Sequence, residues 1–508
     1  MMNKILFAAL ATATLAFTSC GEDFLDRAPQ GGYVTHDQSE EAGEWNAEIF
    51  LGNISSCYTQ MAMWGGSADK DQSHFGQKFL DMSGDILSVD MVKAANNYGW
   101  FTPMLYHQAH TVSASDNDYI WKYCYELIRN ANVVLDNAGS DVTEPESETN
   151  KYYWAIAKTV RAYAYMNLVN FYSGEYSESK NERCVPVYRT ANNPTPAARQ
   201  TVDSLYRFIR QDLEQAITAY TNSGQTASAN ISDPSINVAR TLLGYVYLNT
   251  GEYGQAATVA TTAFNEDTHQ ILPLNQVLTT GFNSVSNNAN NWMWGIDITT
   301  ENTGGIASFW AMMDCYTYGY ADVGDMMCIN QELFDGIAPN DIRRQWFVGD
   351  DEFQAYFGPE LAPSRKFFDP NRTISGDAVW TNDLVYMRAE EPVLIAAEAY
   401  ARDGDVSNSK IWLRKLIEQR DADGTLTDTL NTMNTADALL DYIHFNWRVE
   451  MWGEGRALMT MRRFKATNRA GSNTFIPQGG GIPFKYNDAN MIFVIPQSEI
   501  NSNKNLND

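Results

Sequence analysis

The sequence predicts a mostly α-helical fold, a tetratricopeptide-like helical-repeat scaffold interrupted by long, irregular, aromatic-rich insertions. Three observations predict it. In Asn237–Phe264, NVARTLLGYVYLNTGEYGQAATVATTAF, Leu243 stands beside Gly244, Tyr247 follows three residues on, Gly251 closes the first helix, and Tyr253, Ala256 and Ala263 mark the second. Gly244 and Ala256 are small enough to let two helices approach, while Tyr247 and Tyr253 fill the space around them. Ala260 departs from the pattern, which usually carries a bulky aromatic there. The spacing of Gly244, Tyr247 and Gly251 recurs at Ala397, Tyr400 and Gly404, predicting a second repeat through Arg420. Between the helical stretches, two regions rich in Gly, Asn and aromatic residues lose all sustained period.

At 508 residues, 44% of them hydrophobic, the chain can bury a large core. Its formal charge of −26 repels a phosphate backbone, which argues against nucleic acid as a partner. Lys4, the apolar run Ile5–Phe17 and the small residues Thr18 and Ser19 before Cys20 predict a signal peptide over 1–19 and lipidation at Cys20. Phe17 occupies the position where a strict lipobox has Leu, and ordinary signal-peptidase cleavage is the alternative. Acylation would anchor the mature chain in a membrane at about 0.8 kcal/mol per buried CH2. No later stretch reaches the roughly 18 uninterrupted apolar residues of a spanning helix. Cys57, Cys124, Cys184, Cys315 and Cys328 remain, an odd number without CxxC spacing, which points to neither a zinc site nor a disulfide framework. Cys57 and Cys124 read as small core residues, and pairing of Cys315 with Cys328 stays open.

In chain order, residues 20–45 form a lipidated, polar, turn-rich tether, and Asn46–Met63 reads helical up to Gly65-Gly66. Residues 67–118 carry Tyr98, Trp100 and Tyr106 without clear period, and Trp64 stands just ahead of them; we expect a long decorated loop there. Helices return at Tyr119–Ala138, Lys151–Tyr172 and from an N-cap at Thr201 to Tyr220, followed by the repeat. Residues 271–383 form the second insertion, with Trp292, Trp294, Trp310, Tyr316, Tyr318 and Tyr320. Helix is expected again from Leu384, and a last long helix turns Leu440, Ile443, Trp447 and Met451 inward before Gly453-Glu454-Gly455. FVIPQSEINSNKNLND reads as a strand and then a polar tail. The expected organisation is one domain over 46–508, its scaffold at about 46–66, 119–270 and 384–465 and its insertions at about 67–118 and 271–383.

Several blocks resemble the SusD/RagB family of outer-membrane nutrient-binding lipoproteins. These are SCGEDFLDRAP at the lipidated Cys, AKTVRAYAYMNLVNFYSG (Ala157–Gly174), TVDSLYRFIRQDLEQAI (Thr201–Ile217), VARTLLGYVYLNTGEYGQA, MRAEEPVLIAAEAYARDGD (Met387–Asp405) and IPQSEINSNKNL. RVEMWGEGR keeps Glu450, Glu454 and Gly455 but departs at Arg456 and at Thr460, where Asp is usual; Lys504 stands where Pro is common. The resemblance implies a glycan-binding protein at the cell surface, held to the outer membrane by its lipid and acting beside a SusC-type TonB-dependent transporter. It implies no enzymatic activity and no cofactor.

His107 and His110 lie three apart but lack a third ligand at matching spacing, so they read as two polar loop residues and no metal site is expected. Glu390, Glu391 and Glu398 with Arg388 sit on one expected helix rather than across a cleft, which suits helix-face ion pairs and caps better than a glycosidase pair; Glu450, Glu454 and Arg448 read the same way. No GxSxG, HExxH or phosphate-loop pattern occurs. The aromatic insertions remain. A flat exposed indole or phenol stacks on the CH face of a sugar while neighbouring amides bond its hydroxyls. Tyr98 and Trp100 beside Asn96 and Asn97, and Trp292, Trp294, Trp310 and Tyr316 in the Asn-rich second insertion, are the candidate ligand-binding residues. Core packing under long loops is the competing reading for each. A surface glycoside hydrolase and a peptide- or glycoprotein-capturing binder are the alternative functions.

Overall fold

The computed structural model describes residues 47–62, 71–138, 140–192, 195–475 and 480–506. The signal peptide, Cys20, the tether and Trp64 lie outside the described residues. The scaffold is helical. It comprises α1 (Ala47–Ala62), α2 (Gln77–Leu87), α3 (Ser115–Asn137), α4 (Glu148–Tyr172), α5 (Val202–Ser223), α6 (Ile236–Thr250), α7 (Tyr253–Asn265), α8 (Glu390–Arg402), α9 (Val406–Ile417), α10 (Ala436–Glu450) and α11 (Ala457–Arg463). From α3 to α9 each of these helices packs on the next, so that α7 meets α8 across the whole second insertion.

Local chemistry sets the boundaries of these helices. Side-chain oxygens of Ser147, Thr201, Ser235, Asp405 and Thr435 accept the first-turn N–H groups of α4, α5, α6, α9 and α10. Gly251 and Gly404, at φ +86° and +82°, make the left-handed turn that ends one helix of each repeat and starts its partner. The small residue Gly244 answers an approach different from the expected one. A Cβ there would lie 3.1 Å from Ile395 Cγ2, so the tight contact is between α6 and α8, one repeat against the other, with Val259 of α7 further off. Ala256 and Ala260 are both buried.

Among the described residues, four two-stranded antiparallel sheets lie between the helices. Strand β1 (Met91–Lys93) pairs with β5 (Met327–Ile329), β2 (Arg183–Pro186) with β3 (Arg199–Thr201), β4 (Trp292–Ile296) with β6 (Leu384–Arg388), and β7 (Thr467–Arg469) with β8 (Pro483–Lys485). Three expectations change here. Leu384–Arg388 is a strand, and helix starts only at Glu390. Residues 77–87 form α2, buried on every side, where a loop was expected. The segment 493–496 belongs to no strand or helix, and Gln497–Ser502 is a short helix.

One hydrophobic core runs from Ile54 in α1 to Phe493, and a smaller one gathers Val92, Cys315, Cys328 and Phe353. Cys57, Cys124, Cys184, Cys315 and Cys328 are buried free thiols. The late residues dock on early ones: Phe493 N–H donates to Phe171 O (2.9 Å), Asn117 Nδ2 to Val494 O (2.9 Å), Gln497 N–H to Val112 O (3.0 Å) and Arg199 Nε to Leu506 O (3.2 Å).

Candidate ligand-binding surface

Pairing of β1 with β5 brings the two insertions together. Met91 faces Ile329 and Lys93 faces Met327, so the turn after β1 lies beside the turn before β5. Lys93 seals the junction. Its buried ammonium donates to Asp325 Oδ2 (2.6 Å) and Asn96 Oδ1 (3.0 Å), while Asp325 Oδ1 accepts Asn97 N–H (2.7 Å) and Gly324 O accepts from Asn97 Nδ2 (3.3 Å). Burial pulls the Lys93 pKa down, and the Asp325 carboxylate offsets part of that. Asn96 and Asn97 thus brace the turn, and Gly99 at φ +80° reverses the chain between Tyr98 and Trp100.

The braced turn presents a group of rings. Tyr98 and Trp100 lie within 6° of parallel with centroids 6.5 Å apart, and Tyr320 sets its edge against both, at 4.9 and 5.5 Å. Tyr98 is 48% exposed and Tyr318, two residues before Tyr320, is 53% exposed. Trp100 is half-buried, and its indole Nε1 has no hydrogen-bond partner among the described residues. Tyr320 is itself buried and donates its hydroxyl to Gln72 Oε1, and Tyr318 N–H is held by Gly376 O (2.8 Å). Tyr318 and Tyr320 stood in the sequence beside the aromatics singled out there; only the β1–β5 register shows that Tyr320 meets Tyr98.

The other candidate aromatics turn inward. Trp292 and Trp294 are fully buried because β4 pairs with β6 and then faces the core on both sides, its register shifting between them. Trp294 Nε1 donates to Ser232 O (2.8 Å), and its ring sits between Tyr163 and Tyr386. Trp310 Nε1 donates to Asp383 O (3.2 Å) among Phe309 and Phe367. Tyr316 is buried under Arg372, with its hydroxyl on Asp350 (3.2 Å). None of these four offers a ring face to solvent. A separate cavity of about 420 Å³, lined by Trp121, Tyr125, Arg129 and Tyr188 among others, shares no lining residue with the exposed rings.

The ionisable residues weighed in the sequence also resolve differently. His107 is buried, stacked at 4.0 Å on Phe484, with Nε2 on Leu87 O (3.1 Å), whereas His110 is exposed. The acidic residues expected on helix faces form a sealed network instead. Arg388 binds Glu450 (3.0 Å), Glu454 (2.7 Å) and Glu390 (3.0 Å), and Arg420 binds Glu390 (3.1 Å) and Glu450 (2.8 Å). Arg343 joins Glu450 (3.2 Å) to Asp341 (2.7 Å), and Lys366 binds Glu454 (2.8 Å). Glu391 pairs with Arg456 (2.8 Å), Arg448 with Asp90 (2.6 Å), and Glu398 with Arg463 and, four residues along its own helix, Arg402 (both 2.7 Å). Burial raises the pKa of Glu450, but Arg420 and Arg388 override it and hold the carboxyl well below its ordinary value. These groups hold the second insertion to the scaffold. Each carboxylate is committed to a cation and shut away from solvent, a poor position for acid–base work.

A helical-repeat scaffold that displays aromatic rings between two insertions defines a class of binding proteins. The SusD family model matches residues 350–508, and a second, described as starch-binding associating with outer membrane, matches residues 61–248. The chain belongs to the SusD/RagB family. A SusD-like protein of Bacteroides ovatus is 26% identical over 224 residues, which span 43% of this chain and only about a third (35%) of that relative. Among solved structures, a SusD-like carbohydrate-binding protein of Bacteroides vulgatus superposes with TM-score 0.75 at 22% identity, covering 91% of this chain and 97% of that one. Surface glycan-binding protein A of Bacteroides thetaiotaomicron, in complex with laminarihexaose, gives TM-score 0.65 at 15% identity, covering 90% and 98%.

Proposed function

We propose that this protein is a cell-surface glycan-binding lipoprotein that captures oligo- or polysaccharide on Tyr98, Trp100 and Tyr318, with the buried Tyr320 bracing the first two, and delivers it to a SusC-type TonB-dependent transporter. The observation that carries the reading is the ring group itself: two exposed tyrosines and a half-buried indole from two insertions, fixed by the Lys93–Asp325 pair. Phenol and indole faces stack on pyranose CH faces. Family membership and the carbohydrate named with two structural relatives support the ligand class. The commitment of the central carboxylates to buried cations favours binding over hydrolysis.

Affinity electrophoresis of the protein through gels containing a panel of polysaccharides tests the reading. Retardation by at least one glycan, lost in Tyr98→Ala, and no reducing sugar released from it, are expected; indifference to the whole panel would falsify it. No described helix is long and apolar enough to cross a membrane. Anchoring is assigned to Cys20, so Cys20→Ala moves the protein to the soluble fraction. Mild-detergent pulldown of the wild type from native membranes is expected to recover a TonB-dependent barrel.

A further inference from the structure

Among the described residues only four aromatic side chains are exposed, Tyr98, Tyr318, Tyr356 and Phe475, and all four gather round the β1–β5 junction. Two of them belong to the ring group, and the other two stand at its borders. Phe475, 42% exposed, donates its N–H to the carbonyl of Lys93 (2.9 Å), the residue whose ammonium braces the Tyr98 turn. Tyr356, 63% exposed on the short helix Asp351–Phe357, has its hydroxyl 3.4 Å from Ser375 Oγ. Ser375 gives its one hydroxyl proton to Asp322 Oδ1 (2.9 Å), so it accepts from Tyr356, and the next residue, Gly376, accepts the Tyr318 N–H. One hydrogen bond therefore separates Tyr356 from the segment that holds Tyr318, and one separates Phe475 from the strand that leads to Tyr98.

Elsewhere the described chain covers its rings wholly or in part, and leaving four of them in water round one junction marks that surface for contact. A polysaccharide presents the same CH faces unit after unit, so neighbouring units of one chain reach neighbouring rings as linked epitopes and each ring adds to the affinity. The exposed side chains between the rings, Asn97 and Ser375, are uncharged. At the Tyr356 border the exposed charges are acidic: Glu352 lies one turn earlier on the same helix, and Asp377 two residues beyond Ser375. Together with the formal charge of −26, these carboxylates repel an acidic polymer and leave a neutral one unaffected.

We propose that Tyr356 and Phe475 are flanking subsites of the ring surface, and that this surface takes an internal stretch of a long, neutral polysaccharide. The inference rests on the glycan reading and deepens it. With rings beyond two separate borders of the central group, a chain that stacks on Tyr98 runs on past it in preference to ending there.

Affinity gels of amylopectin, laminarin, dextran and galactomannan, with alginate and heparin as acidic controls, supply the probe. The neutral polysaccharide that retards the protein most is cut by partial acid hydrolysis into a size ladder, and each size is titrated by calorimetry. Affinity is expected to climb with chain length and to survive borohydride reduction of the chain end. Tyr356→Ala and Phe475→Ala, both at exposed rings, should each keep the wild-type Tm, weaken the longest sizes about tenfold and leave the shortest unchanged, whereas Tyr98→Ala weakens every size. Three results would each overturn the inference while a loss in Tyr98→Ala still upholds the glycan reading: preference for alginate or heparin, full affinity at the shortest size, or flanking variants that bind the longest sizes as the wild type does. Indifference to every gel would sink both.

Discussion

Tyr98 and Trp292 carry the same local signature, an aromatic flanked by asparagines, and have opposite fates. Removing the exposed Tyr98 ring should cost glycan binding on the order of 1 to 3 kcal/mol, about tenfold to hundredfold in Kd, and leave the Tm nearly unchanged. Trp292→Ala opens a cavity in the core and should cost about 3 to 5 kcal/mol of stability. Calorimetry with the retained glycan and thermal melts on both variants separate the two; a Tyr98→Ala protein that melts early yet binds normally would move the site elsewhere. Tyr98 has the exposure that a stacking ring needs, whereas Trp292 takes the competing reading of a core residue. Composition reports that a stretch is rich in tryptophan and asparagine, whereas burial of Trp292 depends on its pairing with Arg388, far along the chain. Tyr320 stayed unread for the same reason, since its contact with Tyr98 exists only through the β1–β5 register.

At the scale of elements, glycine geometry separates two kinds of helix end. Gly404, at φ +82°, faces open space, so Gly404→Ala meets only the left-handed backbone penalty, roughly 1 to 2 kcal/mol. At Gly455, φ +78°, an added Cβ would stand 2.6 Å from Asp81 Cα, and Gly455→Ala must displace α2 as well. Denaturant titrations should therefore show a larger loss for Gly455→Ala, and equal losses would contradict the close approach. The repeat helices were legible because each combines apolar period, a capping side chain and a closing glycine within one short stretch. Helix α2 was not, because Lys78, Asp81 and Asp85 interrupt its apolar pattern. All three are buried against partners: Lys78 pairs with Asp81 (3.1 Å), and Asp85 Oδ2 accepts Gly453 N–H (2.7 Å). Strand β6 runs straight into α8, and LVYMRAEEPVLIAAEAYAR has no turn residue to divide them.

Across the whole molecule, the sealed ion network makes stability depend on pH. Burial alone raises the Glu454 pKa, but Arg388 and Lys366 reverse this and bring it from 4.5 to about 2. A carboxyl depressed in the folded state contributes stability above its unfolded pKa, and that contribution is lost as pH falls through the folded value. Wild type should thus exceed Glu454→Gln in stability at pH 7, with the difference shrinking between pH 4.5 and about 2. Paired denaturation curves across that range check the sign, and a constant difference would show that the fold does not depress the Glu454 pKa. Nothing local in the sequence announces such a network, whose members Asp341, Arg388, Arg420 and Glu450 meet only in three dimensions.

The docking of residues 493–506 on α3, α4 and β3 also orders events in time. Asn117 is separated by 377 positions from the carbonyl it bonds, so a nascent chain emerging from the ribosome carries its early helices without their native cover. Native closure waits until those late residues have been made. That delay would suit a polypeptide that crosses a membrane as an unfolded thread, as the proposed lipoprotein would, and completes its fold on the far side.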